Sequence, residues 1–353
     1  MALAPFSRIG AHVPVSGGLA KRGLSYADAI GAEVIQVFVT NPRSWAHTPG
    51  NAEQDALLRA RTDLPVFVHA CYLINLGSPD EEIAARSVAS LEYTLQRAAQ
   101  IGARGVVVHT GSAVRGGRAA GLARVRARLL PILEALDEAA PPVLLEPMAG
   151  QGQVLCATVD DLADYLDAVD RHPKAGVCLD TAHVFGAGHD VSTRAGMRTM
   201  LDRFGEVVGA DRLRLVHAND SAAPCGSRRD RHAGIGLGYI GADPFAEVFT
   251  HPVSAGVPVV VETPGPEGPH ARDVATLKEL RAQAATPEQE AARWCTQGES
   301  GVQGRPDAGR FRPQLGEDRE GRTHRHGSRE SGGRRDDRPG RGAGGTPAAQ
   351  PPL

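Results

Sequence analysis

Eight short apolar runs recur along the first 285 residues, with helix-like segments between them. The runs are Phe6–Val13, Val34–Val39, Val66–Val68, Val106–Val108, Val143–Leu145, Val177–Leu179, Leu213–Val216 and Val257–Val261. They are rich in β-branched residues and do not alternate with polar ones, as expected of strands buried on both faces. The intervening segments include Gly18–Ile30, Ala52–Arg61, Glu81–Ile101, Leu122–Leu136, Val159–Val169 and His270–Ala284. In Glu81–Ile101, Ile83, Val88, Leu91, Leu95 and Ala98 recur at three- and four-residue steps, an amphipathic stripe. Thr158 is a candidate N-cap with Asp161 three residues on. Eight strand–helix units predict an α/β fold, a (β/α)8 TIM barrel over residues 1–285.

Seven of the eight runs end in His, Asp or Glu: His12, His69, His109, Glu146, Asp180, His217 and Glu262. The second runs instead into the polar loop TNPRSW. One or two such residues are ordinary solvated strand ends. Seven are not, because barrel active sites sit where the carboxyl ends of the strands converge. A loop after the seventh run adds Asp230 and His232, two apart and so on one side of an extended chain. Taken alone, that loop fits a metal site and a solvated surface loop alike.

Composition narrows the class. The 353 residues are 41% hydrophobic, enough for a large core, and the net charge is −2, so no global basic excess marks a nucleic-acid partner. The five cysteines are scattered without a CxxC pair, which fits a reducing compartment. The opening MALAPFSRIGAHV has no charged region ahead of an apolar run, so no signal peptide is expected. No apolar stretch approaches the roughly 20 residues a membrane span needs. A cytoplasmic protein is expected. Residues 286–353 are rich in Arg, Gly and Pro. From Ala291 on there are twelve Arg, eight Asp or Glu and no Lys. Such a segment is expected to be disordered. It reads as a passive extension or out-of-frame sequence sooner than as a salt-sensitive nucleic-acid arm.

The candidate ligands are His69, His109, Glu146, Asp180, His183, His217, Asp230, His232 and Glu262. Nine ligands suit three ions better than two. Mixed nitrogen and oxygen donors favour zinc, manganese or iron over magnesium. With three divalent ions the four carboxylates leave the mouth at about +2, a pocket for an anionic centre such as a phosphodiester. His12 is expected to face substrate or support a ligand, His189 to neighbour a cap, and Cys156 and Cys178 to be buried. Cys71, near His69, is open to a functional contact. The glycines of GIGLGYIG suit a phosphate loop or a turn equally.

These residues carry a resemblance. GAHVPVSGGL at 10–19, VHACYLINLGSP at 68–79, VHTGS at 108–112, LEPMAGQG at 145–152, CLDTAH at 178–183, HANDS at 217–221, GSRRDRHAGIGLGYIG at 226–241 and VVVETP at 259–264 resemble the endonuclease IV family. These are zinc-dependent apurinic/apyrimidinic endonucleases of base-excision repair. The resemblance implies three Zn2+ per chain, with Mn2+ or Fe2+ as alternatives at some sites. His69, His109 and Glu146 would hold one ion. Glu146, Asp180, His217 and Glu262 would hold a second. His183, Asp230 and His232 would hold the third. Glu146 and Glu262 would be catalytic, flanking a hydroxide that attacks phosphorus 5′ to an abasic site in duplex DNA and leaves a 3′-hydroxyl and a 5′-deoxyribose phosphate. Arg43 and Tyr72 would insert beside a flipped-out nucleotide, with Trp45 on the same rim. Arg228, Arg229 and Arg231 would neutralise phosphates. A monomer is expected. Three residues depart from the family's usual pattern: Pro147 for Asn, Pro14 for Ser, and Ala233 for Glu or His. The rival readings are a metal-dependent sugar isomerase or epimerase on the same barrel, and a non-catalytic DNA-damage binder.

Overall fold

The computed structural model describes residues 6–264 and 269–284. Its strands are β1 (Ile9–His12), β2 (Ile35–Phe38), β3 (Val66–His69), β4 (Val106–His109), β5 (Val143–Glu146), β6 (Ala175–Asp180), β7 (Leu213–His217), β8 (Asp220–Ser221), β9 (His232–Ala233) and β10 (Val259–Val261). Strands β1–β7 and β10 are parallel and close into a barrel in the order β1-β10-β7-β6-β5-β4-β3-β2. The two-residue strands β8 and β9 pair antiparallel as a separate ribbon. The expected TIM barrel is the observed one.

The helices are α1 (Leu19–Ala29), α2 (Ala52–Ala60), α3 (Glu81–Gln100), α4 (Gly117–Glu134), α5 (Val159–Ala168), α6 (Thr181–Ala187), α7 (Arg194–Val207), α8 (Ala246–Thr250) and α9 (Pro269–Ala284). Their starts are fixed locally. Asp80 accepts from the backbone of Glu82 and Ile83, and Thr158 with Asp161 forms a full capping box. His189 Nε2 takes the Val159 N–H at 3.3 Å, the neighbouring-cap role expected of it. The crossover from β6 to β7 uses two helices. Of these, α7 turns Met197, Met200, Leu201 and Phe204 inward.

The period of two along each strand sorts the interior. Val34, Phe67, Val107, Leu144, Cys178, Leu215 and Val260 are buried in a cluster of their own inside the barrel. Their strand neighbours, such as Val66, Val68, Val106 and Val108, join the larger core between sheet and helices. At Gly10 of β1 a Cβ would lie 1.7 Å from the Val34 carbonyl oxygen, so only glycine admits that close approach. The apolar layer plugs the barrel below its carboxyl end. Cys71, Cys156 and Cys178 are buried, and the described cysteines are all free. No described helix is long and apolar enough to cross a membrane. Segment 286–353, expected to be disordered, lies outside the described residues.

Candidate metal centre

Counting two residues on from the apolar layer gives Gln36, His69, His109, Glu146, Asp180, His217 and Glu262. His12 completes the ring from β1. Every barrel strand thus delivers one polar side chain to a common level, directly above a dry plug. The sheet register makes this a consequence of sequence. His109 is the Cα partner of Glu146, and Asp180 that of His217.

The ring's donors converge in sets. His69, His109 and Glu146 place ligand atoms within 4.8 Å of one another, and so do Glu146, Asp180, His217 and Glu262. These are two of the sets the sequence implied. The third set forms around His183 and His232 with Asp180. Asp230, expected there, also reaches both imidazoles, with Oδ2 3.3 Å from His183 Nε2 and Oδ1 3.2 Å from His232 Nε2. Glu146 and Asp180 are each shared between sets, and both are fully buried.

Partners outside the cluster fix which atom of each ligand faces in. His69 Nδ1 lies 2.8 Å from the Ala70 carbonyl, His183 Nδ1 2.9 Å from that of Pro147, and His232 Nδ1 3.3 Å from that of Glu262. Carbonyls only accept, so Nδ1 carries the proton and Nε2 turns a lone pair inward. His217 is reversed. Its Nε2 donates to Gln36 Oε1 at 2.8 Å, and its Nδ1 faces Glu146 Oε1 at 2.9 Å. Asp180 Oδ1 accepts the α6 backbone N–H groups of Ala182 and His183, while Oδ2 takes Asn219 Nδ2 at 2.7 Å. His232 Nε2 is buried and makes no well-aligned hydrogen bond, although Asp230 Oδ1 and Asp180 Oδ2 lie 3.2 and 3.5 Å away. Those facing carboxylates, the inward lone pairs and the mixed donor set fit divalent metal ions.

The electrostatics call for cations. Burial would raise Glu146, but His217 and His109 hold its carboxyl well below the ordinary range. Burial would likewise raise Glu262, and His217 and His12 hold it far down. Burial opposes charge on His183 and His232. Asp180 and Asp230 nonetheless push His183 well above its ordinary value and His232 to about 9. Ionised carboxylates surrounded by imidazoles attract positive charge, and divalent ions would supply it by taking the inward nitrogen lone pairs in place of protons.

His12 is not in any ligand set. Its Nδ1 lies 2.9 Å from Gln36 Nε2 and 3.3 Å from Glu262 Oε1. Its Nε2 is buried and unpartnered beside a cavity of about 350 Å³ that is lined also by Pro14, Phe38, Tyr72, Glu262 and Thr263. Tyr72 is 40% exposed at the rim, its ring nearly parallel to His109 at 5.6 Å. The Tyr72 N–H donates to the Pro42 carbonyl at 3.0 Å, and Cys71 Sγ approaches the same oxygen at 3.2 Å. Cys71 therefore tethers the Arg43 loop and touches no ligand set. Arg43 is exposed, and Trp45, half-buried, packs against the core. Arg228, Arg229 and Arg231 are exposed on the loop that carries Asp230. That loop is stapled to α6, with the Gly226 N–H on the Phe185 carbonyl at 3.0 Å and the Arg228 N–H on that of Gly186 at 2.9 Å.

The departures from the usual family residues leave the ligands intact. Pro147 lacks an N–H, but its carbonyl holds His183. Ala233 pairs with Asp220 in the β8–β9 ribbon, and Pro14 lines the cavity. The glycine loop is not a phosphate cradle. The N–H groups of Gly236, Gly238, Ile240 and Gly241 all donate to the Asp220 carboxylate. Sequence reasoning assigned no role to Gln36, Asn219 or Asp220. Gln36 was detectable as a lone polar residue within an apolar strand. Asn219 and Asp220 look like turn formers.

The fold and the ligand cluster define the class, a xylose isomerase-like TIM barrel, and the family model of that description matches residues 24–283. A "Probable endonuclease 4" of Streptomyces coelicolor is 51% identical over 282 residues, covering 78% of this chain and 96% of the relative. The crystal structure of endonuclease IV from Thermus thermophilus superposes with a TM-score of 0.69 at 33% identity, over 78% of this chain and 99% of that one. The chain belongs to the endonuclease IV family, whose members are hydrolases. A D-tagatose 3-epimerase-like protein, with a TM-score of 0.59 at 17% identity over 82% of this chain and 99% of that one, shares the fold alone.

Proposed function

We propose that this protein is a DNA repair nuclease that hydrolyses the phosphodiester 5′ to abasic sites in duplex DNA, using three divalent ions held by the nine candidate ligands. We assign zinc, with manganese or iron as substitutes. The observation that carries the reading is the convergence of strand-end and loop ligands into three overlapping sets. When bound, such ions activate a water molecule and clamp the attacking and leaving oxygens of an in-line displacement.

The chain's own residues do the rest. Glu146 lies between the first two sets and Glu262 between the second set and the cavity, which makes these the catalytic carboxylates. Gln36 holds Glu262 Oε1 at 2.6 Å and His217 Nε2 at once, so it orients both. The cavity beside Glu262 accepts the flipped-out abasic sugar, and its apolar walls, Phe38 and Pro14, exclude water. Tyr72 and Arg43, on hydrogen-bonded neighbouring loops, fill the vacated stack. Arg228, Arg229 and Arg231, exposed on the loop that carries Asp230, hold phosphates. In the reaction a water oxygen bonds to phosphorus and the bond to the 3′ oxygen breaks. The products are a 3′-hydroxyl and a 5′-deoxyribose phosphate. The enzyme works as a cytoplasmic monomer on DNA. An epimerase reading leaves the Asp230–His232 loop without a role.

The test is incision of an end-labelled duplex holding one abasic analogue, without added magnesium. A single 5′ cut ending in a 3′-hydroxyl is expected. Retardation of the lesion duplex without cutting would indicate a damage binder. Neither cutting nor binding would turn attention to sugars.

A further inference from the structure

The Asp220 carboxylate is fully buried and touches no candidate ligand set, yet it gathers five backbone N–H groups. Oδ1 accepts from Ser221 at 2.7 Å and Ile240 at 2.8 Å. Oδ2 accepts from Gly236 at 3.0 Å, Gly238 at 2.9 Å and Gly241 at 3.2 Å. Convergent backbone amides of this kind form an anion receptor, and here the anion belongs to the chain. The main chain of the same residue pairs with Ala233, and Ser221 pairs with His232. The Tyr239 N–H returns to the Ser221 carbonyl at 2.8 Å. The chain leaving His232 therefore wraps around Asp220 and closes on the strand that holds His232 in register. A second buried carboxylate, Asp273 of α9, takes the Ile235 N–H at 3.1 Å.

We propose that Asp220 is a positioning residue for the third ligand set: it folds the 236–241 loop against the β8–β9 ribbon and so holds His232, and with it Asp230, over His183. The proposal rests on reading the barrel mouth as a three-ion metal centre. The six strand-end candidate ligands stand at the ends of barrel strands, and the Asp220 carboxylate bonds none of them. A charged acceptor serving five donors has no neutral equivalent, because an amide in its place turns an NH2 toward some of the same N–H groups.

The test counts zinc per chain in full-length protein after dialysis against a weak chelator, and repeats the count from the visible absorption of the cobalt(II) form. Wild-type protein is expected to retain three ions. Asp220→Asn is expected to retain two, with the third bound about 10–100-fold more weakly. Gly238→Ala reaches the same contact independently, since its Cβ would lie 2.3 Å from the Ser221 carbonyl oxygen and 2.5 Å from Asp220 Oδ1. It is expected to show the same selective loss with the circular dichroism of wild type. Three ions in wild type and in both variants would overturn the role of Asp220 and leave the metal reading standing. Loss of all ions together in Gly238→Ala would overturn it too, by showing a general structural role. Fewer than three ions in wild type would contradict the metal reading itself.

Discussion

The ligand cluster has two kinds of support. Six of the nine candidate ligands close barrel strands, where the parallel register and the period of two leave their side chains one direction to point. The other three, His183, Asp230 and His232, lie past the strand ends on α6 and on the loop between β7 and α8. That region stands on no barrel strand; among the described residues its sheet is the two-residue β8–β9 pair. It is held by discrete hydrogen bonds: the Asp180 cap on α6, the staples from Gly226 and Arg228, and the Asp220 knot. The barrel obtains its ligand positions as a by-product of folding, while the loop needs dedicated polar residues to reach the same precision.

The largest expected effect breaks the shared point. Glu146→Gln removes a buried charge common to two strand-borne sets. Single-turnover incision is expected to fall by about 10³-fold or more with near-native circular dichroism. Graded chelation sharpens the contrast. One equivalent of metal, bound by the loop-borne set, should leave before the other two, read by metal analysis against dipicolinate concentration. Simultaneous loss of all three would erase the distinction. Gln36→Ala tests support within the barrel, where one side chain orients His217 and Glu262. A loss of about 10–100-fold in incision rate or metal affinity is expected. The smallest effect is on the loop's outer face. Arg229→Ala should lower the slope of log affinity against log salt by about 1 and leave single-turnover incision of saturated substrate unchanged.

Legibility in the sequence follows the same division. The barrel and its strand-end ligands could be read because an unalternating apolar run ending in His, Asp or Glu fixes both an element and a direction. Asp230 and His232 could be noticed by spacing, but their approach to His183 depends on a loop path no periodicity encodes. Gln36 stands out as a lone polar residue, but its run continues apolar to Val39, so the sequence marks an interruption and not a ring member. Asp220 and Asn219 were hidden for another reason. Short polar residues after a strand predict a turn, and only the fold reveals that one caps a glycine loop and the other ties Asp180 to the Glu262 backbone. The carbonyl of Pro147 illustrates a further blind spot: backbone acceptors orient three of the five imidazoles and leave no mark on residue type.

The central claim is that the strand ring and the fastened loop form one centre of three metal ions. Diffraction from zinc-loaded crystals, recorded on both sides of the zinc absorption edge, tests it most directly. Three anomalous peaks at the barrel mouth are expected, one within each ligand set, the weakest beside His183 and His232. A single peak, or none among these nine residues, would contradict the account.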